Sequence, residues 1–434
     1  MRILNVLTTA LVISFSQNAL SNSFKTEKWL TQKGTQVVFY QAMEVPMLDI
    51  TVAFAAGSAY DGKHFGLSAL TTHLMNQGNA GKDATAIAES LANTGAQFDA
   101  ETSRDMTVFN LRTLTDKAAL EQSTNTFAQI LSHPDFPDSS FAREKKQQLM
   151  AIEQVDESPD DVASLNFFTT LYHDHPYAHP VNGTKDTVSQ INKKQITDFY
   201  KQYYVANNAV LVMVGAIDSK TAHQLAEQLT HDLAQGKTAH TIPKASPLGA
   251  AEKVNIPFPS SQTVVRLGQI GIDHHNPNYF PLMVGNYILG GGSLVSRLST
   301  EVREKRGLTY GVDSQFVPMP GEGPFIISLS TRNDQAGNAL DVTQNTLNGF
   351  IAKGPDKEEL NSAKQYLTGS FPLSLSSNRT IAALLMRMAF YHLPDNYLDT
   401  YVARINAVTD QQIKQAFKEQ VNPEKLLLVT VGQS

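Results

Sequence analysis

The chain has 434 residues, 41% of them hydrophobic and 18% charged. That is too long for one ordinary domain and sufficient for two that each bury a full core. A formal net charge of −6 leaves no footprint for nucleic acid or an anionic membrane surface, and the absence of cysteine excludes disulfides, thiol catalysis and cysteine-ligated zinc.

The N-terminus opens with Met1-Arg2, a mostly apolar run from Ile3 to Phe15, and the small-x-small sequence Ala19-Leu20-Ser21. A run of about a dozen apolar residues is too short to span a bilayer and fits a secretory signal. Residues 1–21 are therefore expected to be a cleaved signal peptide, with the mature chain starting near Asn22. No later stretch is long and apolar enough to cross a membrane.

The first half proper begins with the alternating run Met47 to Ala56, which predicts a strand ending in a turn at Gly57. A helix is predicted from about Gly66 to Met75, carrying Ala69-Leu70-Thr71-Thr72-His73. Further on come Leu149-Met150-Ala151-Ile152 and the run His173-Asp174-His175-Pro176-Tyr177-Ala178-His179-Pro180. Pro176 and Pro180 prevent regular helical presentation of these three histidines. The capping-box pattern from Asn192 to Gln195 opens an amphipathic helix, and Val210 to Gly215 follows as a strand.

Residues 236–252 read as a linker. They are polar, contain Pro243 and Pro247, and show no apolar period. The second half repeats the plan, with a strand over Thr263 to Ile270 and a helix over Tyr279 to Leu289. It closes with a capping box from Thr409 to Gln412, a helix, and the strand Leu427 to Gly432. Ile196, Lys201, Leu211, Val212, Val214 and Gly215 recur at Ile413, Lys418, Leu428, Val429, Val431 and Gly432, at a constant offset of 217. The chain is thus expected to be α+β, with two homologous domains of about 200 residues, 22–235 and 253–434. Each would carry helices on a mainly antiparallel sheet.

A hydrolytic zinc site needs about three protein ligands and a carboxylate base for the metal-bound water. His73 alone supplies neither set. Glu153 lies two residues beyond Ala151, about a 200° rotation along a helix, and so on the opposite face. A noncanonical site would have to recruit His64 or Glu153, and His274-His275 is expected to be solvated loop. Gly290-Gly291-Gly292 mark tight backbone, and with no Gly-Lys-Ser/Thr after them they are not a phosphate loop.

Taken together, Val45 to Ser68, the His-Pro-Tyr-x-His-Pro loop and the run Leu289 to Val312 resemble the pitrilysin/insulinase family of inverted-motif zinc peptidases. The resemblance covers nearly the whole mature chain. It sets Ala69 against the first zinc histidine, Thr72 against the catalytic glutamate and His73 against the second histidine. Met150 and Ala151 stand against the third ligand, and His73 is expected to be a partly buried helix residue. The same resemblance makes Arg303 and Tyr310 the family's Arg/Tyr pair, Gly290 to Gly292 its substrate-binding loop, and Arg306 a structural charge. It implies two domains facing each other as a clamshell around an extended peptide, with no metal in this chain. The expectation is a non-zinc subunit in a bacterial periplasm, supplying Arg303 and Tyr310 in trans to a zinc-bearing homologous partner with an intact His-x-x-Glu-His. The alternatives are a catalytically idle peptide-binding scaffold and a self-sufficient zinc endopeptidase with an irregular site.

Overall fold

The computed structural model of the chain describes residues 24–433, so the expected signal segment 1–21 lies outside the described residues. The strands in chain order are β1 (Glu27–Leu30), β2 (Gln36–Gln41), β3 (Met47–Phe54), β4 (Gly78–Asn79), β5 (Lys82–Asp83), β6 (Gln97–Thr102) and β7 (Thr107–Leu114). They continue with β8 (Ala209–Gly215), β9 (Glu252–Pro257), β10 (Gln262–Ile270), β11 (Thr309–Phe316), β12 (Pro324–Arg332) and β13 (Leu427–Gly432).

The two large sheets are β1-β2-β8-β3-β7-β6 and β11-β12-β10-β13-β9. Apart from β1, which extends the first, they have the same order. β2, β8, β3, β7 and β6 correspond to β9, β13, β10, β12 and β11. Each sheet has one parallel pair, β2 with β8 and β9 with β13, and is otherwise antiparallel. The two edges β6 and β11 are therefore equivalent positions of one repeated unit.

The repeated helices start as their sequences require. Asn192 and Gln195 cap the helix Lys193–Tyr203 reciprocally, and Thr409 and Gln412 do the same for Asp410–Gln420. Ile196, Phe199 and Tyr203 turn inward in the first, Ile413, Ala416 and Phe417 in the second.

The halves exchange helices. Phe167 and Leu171 of the helix Pro159–Tyr172, which belongs to the first half, are buried with Val264 of β10 and Val429 and Val431 of β13. Reciprocally, Ile381, Leu385 and Met388 of Asn378–Phe390 are buried with Val38, Ala53 and Val212 of the first sheet. Each sheet is packed on one face by a helix of the other half.

The connecting segment departs from the expectation of a purely polar linker. Ile242, Ala245 and Leu248 are buried against the helix Pro159–Tyr172. They recur at every third position in a segment without regular secondary structure, a spacing that neither a strand's alternation nor a full helical stripe predicts. Among the described residues no helix is long and apolar enough to cross a membrane.

Candidate functional site

The first candidate region is built on the helix Leu67–Leu74. Its entry needs Gly66, which is left-handed (φ 91°) and whose missing Cβ would stand 2.5 Å from the Asn182 carbonyl. The Asp61 carboxylate accepts the amides of Gly66 and Ser68 at 2.7 and 2.8 Å. Burial pushes this carboxyl up to about 7, against the lowering by those amide bonds.

On this helix Ala69 is buried and Thr72 is sealed. The Thr72 hydroxyl lies 2.9 Å from the Ser68 carbonyl, 2.7 Å from Thr102 Oγ1, 3.3 Å from Thr107 Oγ1 and 3.1 Å from the Tyr204 hydroxyl. That network is saturated and holds no base. His73 is exposed, not partly buried as expected, because the helix turns it into a cleft of about 460 Å³. The crowded cleft wall lowers its basicity by desolvation, with Glu144 pulling the other way.

The opposite wall is the helix Asp138–Val155, which contributes Glu144, Gln147, Gln148 and Ala151. The sequence left two neighbouring positions open for the third ligand. Ala151 faces the cleft, whereas Met150 is 52% exposed and is not among the lining residues. Glu144 went unnoticed in the sequence, although it stands two turns before Ala151 on the same helix face.

The other histidines do not join this cleft. His64 contacts Gln195, and Glu153 is ion-paired with Lys185 at 2.8 Å. His175 Nε2 lies 2.8 Å from the Pro243 carbonyl, and the His179 ring stacks on Phe65. His173 is exposed at 4.0 Å from Glu252. His274 stacks on Tyr391 at 3.9 Å, and neither of its ring nitrogens has a partner. Among the described residues no three histidine or carboxylate side chains stand close enough to hold a metal ion. One histidine, two alanines and a saturated threonine do not fit zinc.

The second region lies on the edge strand β11. The helix Tyr279–Asn286 widens into a π-turn over Tyr287–Gly291, and the bonds of a second π-turn span Ser299–Glu304. Gly290 is forced by the approach of β11. A Cβ there would stand 2.4 Å from Ser314 Oγ and 2.5 Å from its backbone nitrogen. Gly290 and Gly291 line a cleft of about 680 Å³ with Leu294, Arg303 and Tyr310. Gly292 is not a lining residue, unlike its neighbours; its amide closes the turn on the Tyr287 carbonyl at 2.8 Å.

Between Thr309 and Val312 the pairing of β11 with β12 shifts register. The Thr309 hydroxyl braces this bulge against the Ser330 and Gly311 carbonyls, at 2.7 and 2.8 Å. The bulge throws Tyr310 outward, leaving it 89% exposed. Neither the Tyr310 hydroxyl nor the Arg303 guanidinium bonds to any described residue, whereas Arg306 is spent on Glu301 at 2.7 Å. Deeper in the cleft the buried Arg266 meets Asp160 at 2.5 Å. Asp160 belongs to the exchanged helix, so no local sequence signal joins it to this site. Burial raises the Asp313 carboxyl, and Arg266 tempers the rise. No residue lines both this cleft and the His73 cleft.

Residues 37–185 match the family described as insulinase (peptidase family M16), and residues 190–367 match the peptidase M16 inactive domain. Among solved structures, the chain is similar to a peptidase M16 inactive domain from Pseudomonas fluorescens. The two are 38% identical with a TM-score of 0.92, covering 94% of this chain and 98% of that one. Among curated proteins it is 25% identical to the uncharacterized zinc protease YmxG of Bacillus subtilis, over 91% of this chain and 96% of that protein. It is also 25% identical to the "Probable mitochondrial-processing peptidase subunit beta" of Schizosaccharomyces pombe, over 97% of this chain and 94% of that protein.

Proposed function

Because the chain belongs to the M16, or insulinase, peptidase family, we propose that it is a non-zinc subunit that works with a zinc-bearing homologue. The observation that carries this reading is the pairing of two unspent groups, Arg303 and Tyr310, in one cleft beside a free sheet edge. An extended peptide can add to such an edge as a further strand. When a peptide carbonyl becomes tetrahedral, negative charge builds on its oxygen. A phenol hydroxyl and a forked guanidinium aimed there stabilise that charge. Neither group activates water at neutral pH, so hydrolysis needs a metal centre that the residues around His73 do not fit.

The partner would therefore bring an intact His-x-x-Glu-His and its zinc, and Arg303 and Tyr310 would act in trans. That a mitochondrial-processing peptidase subunit is among the relatives supports a multi-subunit assembly. The secretory-signal pattern over Met1 to Ser21 supports a periplasmic setting for the complex. A second reading, an idle peptide-binding scaffold, is favoured by the saturated Thr72 network, which shows a motif position settled into structural use.

Copurification from the native host tests the first reading. A zinc-bearing homologue should accompany the chain, and the chain alone should neither bind stoichiometric zinc nor cleave peptides. Stoichiometric zinc with cleavage by the isolated chain would sink the divided-site reading. A pair whose turnover ignores Tyr310→Phe would favour the scaffold.

A further inference from the structure

A third cavity, of about 500 Å³, opens where the two halves meet. It shares no lining residue with the His73 cleft or the Tyr310 cleft. Ala55, Tyr60 and Val210 reach it from the first half, and His274 and Tyr391 from the second. The connecting segment adds Thr238 to Ile242. Its size falls within the roughly 300–1,000 Å³ of small-molecule pockets, which occur preferentially at such junctions.

The lining is rich in rings and short of free charge. Tyr60, His240, His274, Phe390, Tyr391 and His392 all contribute to it. Tyr60 and His240 meet edge to face with ring centres 5.1 Å apart, and His274 stacks on Tyr391 at 3.9 Å. Rings in these arrangements take a further aromatic ring by stacking or by edge contact. No lysine or arginine lines the cavity. Its one carboxylate, Asp273, already accepts the His275 amide at 2.9 Å and stands 3.9 Å from Lys244. Such a lining compensates poorly for the desolvation of a charged ligand.

Neutral hydrogen-bonding groups are nonetheless left over. The Tyr60 hydroxyl bonds to no described residue, and burial keeps it protonated and so a donor. Neither ring nitrogen of His274 has a partner. Burial holds this imidazole neutral, so it keeps one N–H and one lone pair. Polar atoms shielded from water and left unpaired are rare, and they mark an unmet demand.

We propose that this cavity binds a small uncharged aromatic molecule that carries a hydroxyl or a ring N–H, of the phenol or indole class. Its ring would pack on the aromatic lining, and its polar atom would bond to Tyr60 and His274. The ligand would touch both halves and the segment between them, and so tie them together. Tyr391 already belongs to that contact, since its hydroxyl donates to Asp105 of the first half at 3.1 Å. The proposal does not depend on peptide binding at the other two clefts.

The test is isothermal titration calorimetry of the mature chain at neutral pH with three probes. 2-Naphthol is uncharged and aromatic and carries a hydroxyl. Decahydro-2-naphthol keeps the hydroxyl on saturated rings, and 2-naphthoate puts a charge on the aromatic ones. One 2-naphthol should bind per chain, at least tenfold more tightly than either of the others. Thr241→Trp, which fills the cavity from an exposed position, should weaken 2-naphthol at least tenfold. The double variant Tyr60→Phe, His274→Phe keeps both rings and removes their polar atoms, and it should weaken 2-naphthol at least threefold. Leu373→Ser, which removes an exposed apolar side chain outside the cavity, should leave binding intact. Equal binding of the saturated alcohol would overturn the aromatic class, and equal or tighter binding of 2-naphthoate would overturn the uncharged one. Binding that survives both Thr241→Trp and the double variant lies elsewhere and overturns the site. So does a chain that shows no saturable binding of 2-naphthol.

Discussion

The edges β6 and β11 close equivalent sheets, β2-β8-β3-β7-β6 and β9-β13-β10-β12-β11, yet their backbones differ. β6 pairs with β7 in unbroken register from Gln97 with Arg112 to Thr102 with Thr107. β11 breaks register after Thr309 and is flanked by two π-turns and by Ser293 at φ 52°. Irregular backbone is costly and persists where the surroundings enforce it, commonly at functional sites. In the first half the corresponding region is regular, and its hydroxyls bond to one another. The second half retains an exposed Tyr310 and an unspent Arg303. Two copies of one unit thus spend stability differently, one on a sealed helix and one on a poised edge.

The largest effect that would break this comparison is catalytic. In the proposed complex with a zinc-bearing partner, Tyr310→Phe should lower turnover about 100-fold, the scale for losing one donor to a developing oxyanion. His73→Ala in the same complex should change turnover less than about twofold, since an isolated histidine of this chain has no role in water activation. The thermal midpoint should not move for Tyr310→Phe, because the ring is 89% exposed. Equal losses from both variants would mean that the two clefts serve one reaction.

The next effect is structural and specific to the β11 side. Gly290→Ala forces a Cβ to within 2.5 Å of the Ser314 backbone nitrogen, which cannot rotate away. Urea unfolding should show a loss of about 1–3 kcal/mol, typical of overpacking. Gly311→Ala, where an added Cβ meets nothing within 4 Å, should stay within about 0.5 kcal/mol of the parent. If Gly290→Ala is silent, the close approach does not hold the poised edge in place.

What was legible in the sequence follows from how local each signal is. The capping boxes at Asn192 and Thr409, and the strands that follow them, could be read because a box and an alternation lie within a few residues. The helix exchange could not. The apolar residues of Pro159–Tyr172 follow almost no helical period, so the sequence marks neither the face that is buried nor the sheet that covers it. The buried triplet Ile242, Ala245 and Leu248 escaped because its period matches neither strand nor helix. At the site, Arg303 and Tyr310 were readable as part of one continuous segment. The Arg266–Asp160 pair joins residues from different halves and leaves no trace in a single sequence. Glu144 was within reach, since its spacing from Ala151 is two helical turns.

On the first-half side, the sealed helix can be probed through Thr72. Thr72→Val keeps the shape but strips the hydroxyl from a cluster with Thr102, Thr107 and Tyr204. The expected cost is about 1–2 kcal/mol in urea unfolding, because buried partners lose a bond they cannot replace with water. A gain in stability would mean that the network is strained, and the contrast between sealed and poised halves would fail.

A comparable effect, confined to low pH, sits where the halves meet, and it extends the same contrast to two titratable groups shielded there. Asp105, from the first half, accepts the hydroxyls of Tyr177 and Tyr391 at 2.6 and 3.1 Å. His274, from the second half, stacks on the other side of that junction against Tyr391, with both ring nitrogens unpaired. Burial lowers this imidazole from its ordinary 6.5 to about 3, and the nearby charges of Arg387 and His275 push the same way. The folded chain therefore resists a proton that the unfolded chain accepts. Below about pH 6.5 the unfolded state binds more protons, so stability falls as the pH drops toward about 3 and is unaffected above that window. His274→Phe keeps the stacked ring and removes the titration. It should leave stability within about 1 kcal/mol at pH 7.5 and raise it by roughly 1–2 kcal/mol relative to the parent at pH 5, read from paired urea midpoints. If the two pH curves run parallel, His274 titrates normally and is not held neutral. The second half would then carry no unsatisfied group at the junction, and its contrast with the satisfied Asp105 would end there.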